Sequence, residues 1–330
     1  MAKKIEEVSD EFWENQVNEI NKELIEEFLS QESLSKKTIK QYESSLKIFA
    51  RWVHDYCKNV EITQLRPRDA RRYQDWLIKQ GLGSSAIRFK RSSVSSLCNF
   101  IEFEYDREYK DFRNIFTKAI PHVTKVAVKE KIPLTIDEIQ TLRDELTKRE
   151  EWQKLAYLEY TYETGCRREE SRQLLKEVAT YEEVKNIDGT EKNFYKTHKI
   201  RAKGKGQTGV IRDFTFNQKA MDALIKWVEY RSELVENDDC PYMFVSKGKN
   251  GFRQLSPNTF NLWCNEFSEI LGGRPVHPHL FRSSRATNAH IEEGKSIKAV
   301  QKLLGHKSAE TTEIYIVRDE TDDLDELYED

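Results

Sequence analysis

Five residues in the second half of this 330-residue chain could together do chemistry on a phosphodiester. Arg167 follows Thr164-Gly165-Cys166, and Arg282 stands three residues after His279. His306 ends the run Leu304-Gly305-His306, and Tyr315 comes nine residues after it. A guanidinium is planar, permanently charged and offers donors to two phosphate oxygens at once, so Arg167 and Arg282 could clamp one phosphate. His279 and His306 are candidates for moving protons and for hydrogen-bonding a phosphate. A phenol ordinarily titrates near ~10, so Tyr315 can attack only if its surroundings activate it. Cutting a strand by transesterification requires a nucleophile, charge for the non-bridging oxygens, a base and an acid for the leaving oxygen. A phenol, two arginines and two imidazoles cover the first three without a metal. The other histidines, His54, His122, His198, His277 and His290, read as ordinary surface or core residues. His277 is close to His279, but only His279 has Arg282 three residues on.

Taken together, Thr164-Gly165-Cys166-Arg167, His279-x-x-Arg282, Leu304-Gly305-His306 and Thr311-Thr312-x-x-Tyr315 resemble the motifs of the tyrosine recombinase (phage integrase) family. The resemblance implies that Tyr315 is the nucleophile and forms a 3′-phosphotyrosine link. Arg167 and Arg282 would bind the scissile phosphate, with His279 and His306 beside them, and Glu170 would be an acidic residue supporting the site. The family carries its general acid, a lysine, on a hairpin between two strands. Gly204-Lys205-Gly206 resembles that hairpin, so Lys205 is the expected acid; Lys203 and, more weakly, Arg201 stay open as alternatives. No cofactor and no metal is implied, and the chain has no P-loop and no acidic cluster spaced for two metals. Cys166, Arg168 and Ser283 depart from the family's usual residues, and the stretch 176–200 is longer than in minimal members.

The implied activity is site-specific DNA recombination through a Holliday junction, for integration or excision of a mobile element. Xer-type chromosome dimer resolution is the alternative. A type IB topoisomerase-like enzyme or a non-catalytic DNA-binding protein ranks lower. The implied partners are double-stranded recombination sites and further copies of the chain, as a homotetramer on DNA with a dimer per site. An accessory directionality factor is a candidate further partner.

Elements must hold these residues in place, and the pattern is mostly helical. Apolar residues recur at helical intervals over 11–30, 33–53, 66–77 and 86–105, which predicts a four- or five-helix bundle. Ser35 reads as one helix cap, Pro67 as a helix start, and Thr135 with Glu138 as a capping box. One β interruption is expected, with strands over 194–200 and 210–216 around the tip 203–207. The fold class is therefore mainly α with a small antiparallel sheet. The expected organisation is an acidic helical extension (1–30), a helical SAM-like core-binding domain (31–117), a basic linker (118–132), a catalytic domain (133–316) and an acidic tail (317–330). The tail carries Leu324, Leu327 and Tyr328 among acids and reads as a candidate helix that docks on a neighbouring subunit.

Net charge is −3, which is unusual for a DNA partner, but the charge is unevenly spread. Residues 1–30 hold three Lys/Arg against nine Asp/Glu, and 317–330 hold one against eight. Residues 31–130 hold 20 Lys/Arg against 12 Asp/Glu, a basic stretch suited to gripping phosphate. The five cysteines are scattered with no Cys-x-x-Cys pair, which argues against a zinc site or a disulfide framework. With no apolar run near ~20 residues and no signal segment in view, a cytoplasmic, nucleoid-associated protein with no membrane partner is expected.

Overall fold

The computed structural model describes residues 5–116, 120–121, 123–124, 132–202, 209–235, 238–249, 251–306 and 308–316. The chain divides into two compact units, Met1–Lys129 and Glu130–Asp330. Lys203, Lys205 and the acidic tail lie outside the described residues.

The first unit is built on five helices: α1 (Asp10–Gln16), α2 (Glu19–Leu29), α3 (Lys36–Cys57), α4 (Pro67–Lys79) and α5 (Ser84–Glu104). Their starts follow local chemistry. The Ser35 hydroxyl accepts from the Thr38 N–H at 3.2 Å, and Pro67 opens α4, where a missing N–H costs nothing. The α3 stripe of Leu46, Phe49, Trp52 and Val53 is buried against Tyr73 and Leu77 of α4 and Val94, Leu97 and Ile101 of α5. Trp13 and Val17, at α1, and Leu24, Ile25 and Phe28 of α2 belong to the same core, so α1 and α2 of the acidic N-terminal stretch are part of this body rather than an appendage to it. Ile120, within the stretch read as a linker, is also buried there, and the Arg91 guanidinium donates to the Ile120 and Pro121 carbonyls.

The second unit begins at α6 (Ile136–Lys148), whose N-terminus carries the expected capping box. The Thr135 hydroxyl accepts from the Glu138 N–H at 3.2 Å, and the Glu138 carboxylate accepts from the Thr135 N–H at 2.8 Å. Then come α7 (Trp152–Thr164), the single turn α8 (Arg168–Ser171), a hairpin, α9 (Gln218–Leu234), a second hairpin, and α10 (Pro257–Ile270). The chain closes with α11 (Pro278–Thr287), a π-helical turn over Asn288–Glu292, α12 (Ile297–Leu304) and α13 (Ala309–Glu313). Tyr157 of α7 sits at the centre of an aromatic core, edge-on to Phe244, Trp263 and Phe281 and 4.6 Å from the Phe260 ring.

The expected hairpin is present in two ladder segments. β1 (Tyr195–Lys196) pairs with β4 (Thr215–Phe216), and β2 (Ile200–Ala202) pairs with β3 (Val210–Arg212), all antiparallel. Three residues, 197–199, lie between the segments on one arm and two, 213–214, on the other, so the hairpin bends at a bulge. The second hairpin, β5 (Val245–Gly248) with β6 (Gly251–Gln254), is not among the sequence expectations and corrects the reading of a single β interruption. Gly248 pairs with Gly251 at its end, where Gly251 takes φ +103°.

The C-terminal segment packs on its own small core. Ala286 and Ala289 meet Val300, Leu304 and Ile316, with Ile297 and Tyr315 partly covered beside them. Among the described residues no helix is long and apolar enough to cross a membrane, and no group of three or more His, Cys, Asp or Glu is placed to hold a metal.

Candidate active site

Arg167 stands at the turn between α7 and α8. Helix α7 stops because Gly165 takes the left-handed conformation at φ +56°. The chain then extends through Cys166, and Arg167 becomes the N-cap of α8. The Glu170 carboxylate, 2% exposed, accepts from the Arg167 backbone N–H at 2.7 Å and from its Nη1 at 3.0 Å. Glu170 thus holds both the turn and the Arg167 guanidinium.

Arg282, on α11, is fully buried. Its Nη1 donates to the Gly165 carbonyl at 2.6 Å. Its Nη2 donates to the Leu304 carbonyl at 2.7 Å and to His306 Nε2, also at 2.7 Å. Those two carbonyls are C-terminal ends of α7 and α12, where unpaired C=O groups and the helix dipoles favour a cation. Gly165 must be small here, because a methyl group would come within 2.6 Å of Leu304 Cδ2. Burial, and then the neighbouring Arg167, lower the Arg282 pKa to about 10, so the group stays cationic at neutral pH. Its Nε–H is buried with no partner among the described residues.

His306 follows the left-handed Gly305 that ends α12. Because its Nε2 accepts from Arg282, the ring proton belongs on Nδ1, which lies 3.0 Å from the Thr312 hydroxyl and donates to it. Burial, followed by Arg282, Arg167, Arg212 and His279, pushes its pKa down to about 4. The imidazole is therefore neutral at physiological pH, and its tautomer is set by its neighbours.

Tyr315 comes just after α13. Its N–H donates to the Thr312 carbonyl at 2.9 Å, continuing the helical turn. The hydroxyl lies 3.0 Å from His279 Nε2. The His306 ring centre is 4.9 Å from the phenol ring centre, and the Arg282 guanidinium lies over the same ring at 5.4 Å. His277 is the N-cap of α11; His279, in the first turn of that helix, is the histidine that meets the phenol.

The structure thus brings His279, Arg282, His306 and Tyr315 into one cluster, with Arg167 and Glu170 at its edge. Lys205 and Lys203 are outside the described residues, but the base of their hairpin is tied to the cluster. The Gln173 side chain, just past α8, accepts from the Arg201 N–H and donates to the Arg201 carbonyl, at 3.1 and 3.0 Å. Sequence reasoning misses two neighbours. Thr312 stands in the quoted Thr311-Thr312 pair, so a signal existed, although no role could be read from it. Arg212, on β3, donates from Nη2 to the Leu303 carbonyl at 2.7 Å, and nothing in its local sequence marks it.

The chemistry available is that of an anion site. Arg282, His279 and His306 gather around one phenol, and Arg167, Arg212 and Glu170 lie near Arg282. The phage integrase family matches residues 133–321, and the phage integrase N-terminal SAM-like domain matches residues 22–104. The chain is 32% identical to the SPbeta prophage-derived recombinase-like protein of Bacillus subtilis, over 99% of this chain and 96% of that protein. It is 27% identical to the tyrosine recombinase XerA of Pyrococcus horikoshii, over 90% of this chain and 89% of that one. Its fold is similar to that of the XerH site-specific recombinase solved with its difH substrate, at TM-score 0.66 and 17% identity, covering 90% of each chain. The chain belongs to the phage integrase family and is a tyrosine recombinase.

Proposed function

We propose that this enzyme cuts and rejoins DNA through a covalent bond between Tyr315 and a 3′ phosphate, with Arg167 and Arg282 holding that phosphate. The observation that carries the reading is the placing of the Tyr315 hydroxyl 3.0 Å from His279 Nε2 and beside a buried guanidinium. In the forward step the phenolic oxygen bonds to phosphorus while the bond from phosphorus to the 5′ oxygen breaks. The phenolic proton passes to His279 Nε2. The departing 5′ oxygen takes a proton from Lys205, with Lys203 and Arg201 as the alternatives. Charge developing on the non-bridging oxygens falls to the two arginines, and such preorganised donors typically change rates by ~10²–10³ each. The unpaired Nε–H of Arg282 supports this reading, because a buried donor without a partner costs ~1–3 kcal/mol, which an incoming phosphate oxygen would offset.

Two such cleavage and joining rounds on paired duplexes pass through a Holliday junction and conserve bond energy, so no nucleotide cofactor is required. The substrate is duplex DNA bearing recombination sites, bound by two copies per site and four per synapse. Solved relatives described as a tetramer on a Holliday junction and as a transposon integrase on its transposon DNA support that assembly. Integration or excision of a mobile element is the favoured role, supported by the prophage origin of the Bacillus subtilis relative. Chromosome dimer resolution is the second reading, supported by the Xer relatives. The work is done in the cytoplasm, at the nucleoid. An accessory protein could set direction, and the tail 317–330 is proposed to dock on a neighbouring subunit.

The test is a suicide duplex. A binding site is selected from a randomised duplex pool with the full-length Tyr315→Phe protein, then nicked near the expected cleavage position. Wild-type protein should become trapped on the DNA as a band resistant to denaturation, and the Tyr315→Phe variant should not. Trapping by the phenylalanine variant would end this reading.

A further inference from the structure

The geometry points to Arg212 as a positioning residue for catalysis: it fastens the β2–β3 hairpin to the Leu303-Leu304-Gly305-His306 turn and so sets where His306 and Arg282 lie. This rests on the proposed role of Tyr315 and its phosphate-binding neighbours. Three contacts carry it. Arg212 Nη2 donates to the Leu303 carbonyl at 2.7 Å. Its Nε donates to the Asp213 carbonyl at 3.3 Å, and the guanidinium lies over the Phe214 ring at 4.3 Å. A long cation is therefore held flat by its own strand and spends a strong donor on a carbonyl in the last turn of α12.

The opposite side of the guanidinium explains Gly305. This glycine has φ +67°, and a methyl group on it would overlap the Arg212 guanidinium. Position 305 must therefore lack a Cβ for two reasons, the left-handed turn and the close approach of Arg212. One residue on, His306 holds Arg282 through Nε2. One residue back, the Leu304 carbonyl holds the same Arg282 Nη2. Arg212 and Arg282 thus bind adjacent carbonyls, 303 and 304, from two directions.

The hairpin is pinned on its other arm as well. Arg201 on β2 is held by Gln173, next to the α8 turn that follows Arg167. Arg212 and Gln173 then tie one hairpin to the two turns that carry Arg167 and His306. The groups facing Arg212 also fit, for burial lowers its pKa while Glu170 raises it and Arg167 lowers it. A cation next to His306 has a second consequence. His306 faces Arg282, Arg167 and Arg212, whose charges each disfavour its protonation, and His279, which adds to this only when protonated.

The test uses the full-length protein and the nicked suicide duplex selected as above. Arg212→Gln should slow covalent trapping by about 10–100-fold, the range for losing one charged hydrogen bond that positions a site. Duplex affinity should stay within about twofold of wild type, because the residue acts on the attack and not on docking. His306→Gln should be slow by itself, and the Arg212→Gln/His306→Gln pair should lose less than the product of the two single losses, because both act through one turn. The acid limb of the trapping rate should move to higher pH in Arg212→Gln, since losing the cation eases protonation of His306. Arg212→Lys keeps a donor and a charge and should recover part of the rate. Wild-type trapping rates in Arg212→Gln, or losses that simply multiply in the double variant, would overturn the role of Arg212 while leaving Tyr315 as the nucleophile. Absence of trapping by wild-type protein would overturn both.

Discussion

The Thr312 hydroxyl accepts the Nδ1 proton of His306 at 3.0 Å, while the Thr312 carbonyl accepts the Tyr315 N–H at 2.9 Å. One buried residue therefore sets both the tautomer of the histidine that holds Arg282 and the placing of the phenol. Thr312→Val keeps the shape and removes the acceptor. It should reduce covalent trapping about tenfold or more and cost roughly 1–2 kcal/mol of stability, since the Nδ1–H loses its partner. Thr312→Ser should restore most of both, read by trapping assay and thermal melting. Equal behaviour of the valine and serine variants would refute this role of the Thr312 hydroxyl.

His279 is the group nearest the reacting oxygen, 3.0 Å from it. His279→Ala should slow trapping by ~10²–10⁴, the range for losing a positioned proton acceptor. Chain stability should be little changed, because the residue is only partly buried. A single-turnover time course on the suicide duplex measures the first quantity and denaturant melting the second. A variant that lost stability and kept its rate would make His279 a structural residue.

The pH response of His306 has a definite sign. Its folded pKa is pushed down to about 4, below the ordinary ~6.5, so between those values the unfolded chain binds the proton and the folded chain does not. Stability attributable to this group is present above about pH 6.5 and lost as pH falls toward 4. Allowing for its partial exposure, the loss is roughly 1–2 kcal/mol. His306→Gln should thus flatten the melting-temperature profile between those pH values. A profile as steep as wild type would show that His306 is not the titrating group.

Gly165 holds φ +56° under Leu304 and beside Arg282. Gly165→Ala should destabilise the second unit by about 1–3 kcal/mol, from the left-handed strain and the 2.6 Å approach to Leu304 Cδ2. It should also slow trapping, because the carbonyl that anchors Arg282 would move. Calorimetry and the trapping assay would test this; an alanine variant as stable and as fast as wild type would contradict it.

What the amino-acid order determines without help is local. The Thr135–Glu138 box, Ser35 as a cap, Pro67 at a helix start and the glycines that end α7 and α12 are each decided within a few residues, by side-chain reach and allowed φ. The Arg167, His279-x-x-Arg282, Leu304-Gly305-His306 and Tyr315 motifs are legible for a related reason, because each is a short run of chemically unusual residues. The second hairpin escapes such a reading. Its arms of four residues are too short for a period to emerge, although Asn250-Gly251 is a hairpin turn signal. The acidic first helices look separable by charge, yet Trp13 and Phe28 are held by a core whose other members lie far along the chain.

Only the tertiary structure decided which cations are solvated and which are held. The His279-x-x-Arg282 motif marks Arg282 but not its burial, and Arg212 looks like any other of the 54 Lys/Arg in sequence. One is buried because helices α7 and α12 end at the same point and leave two carbonyls there; the other is flattened against Phe214 by the bend of its strand. Hydrogen-bond partners separated by 22, 91 and 117 residues cannot be read from spacing, because they depend on where packed helices stop rather than on what lies next in the chain.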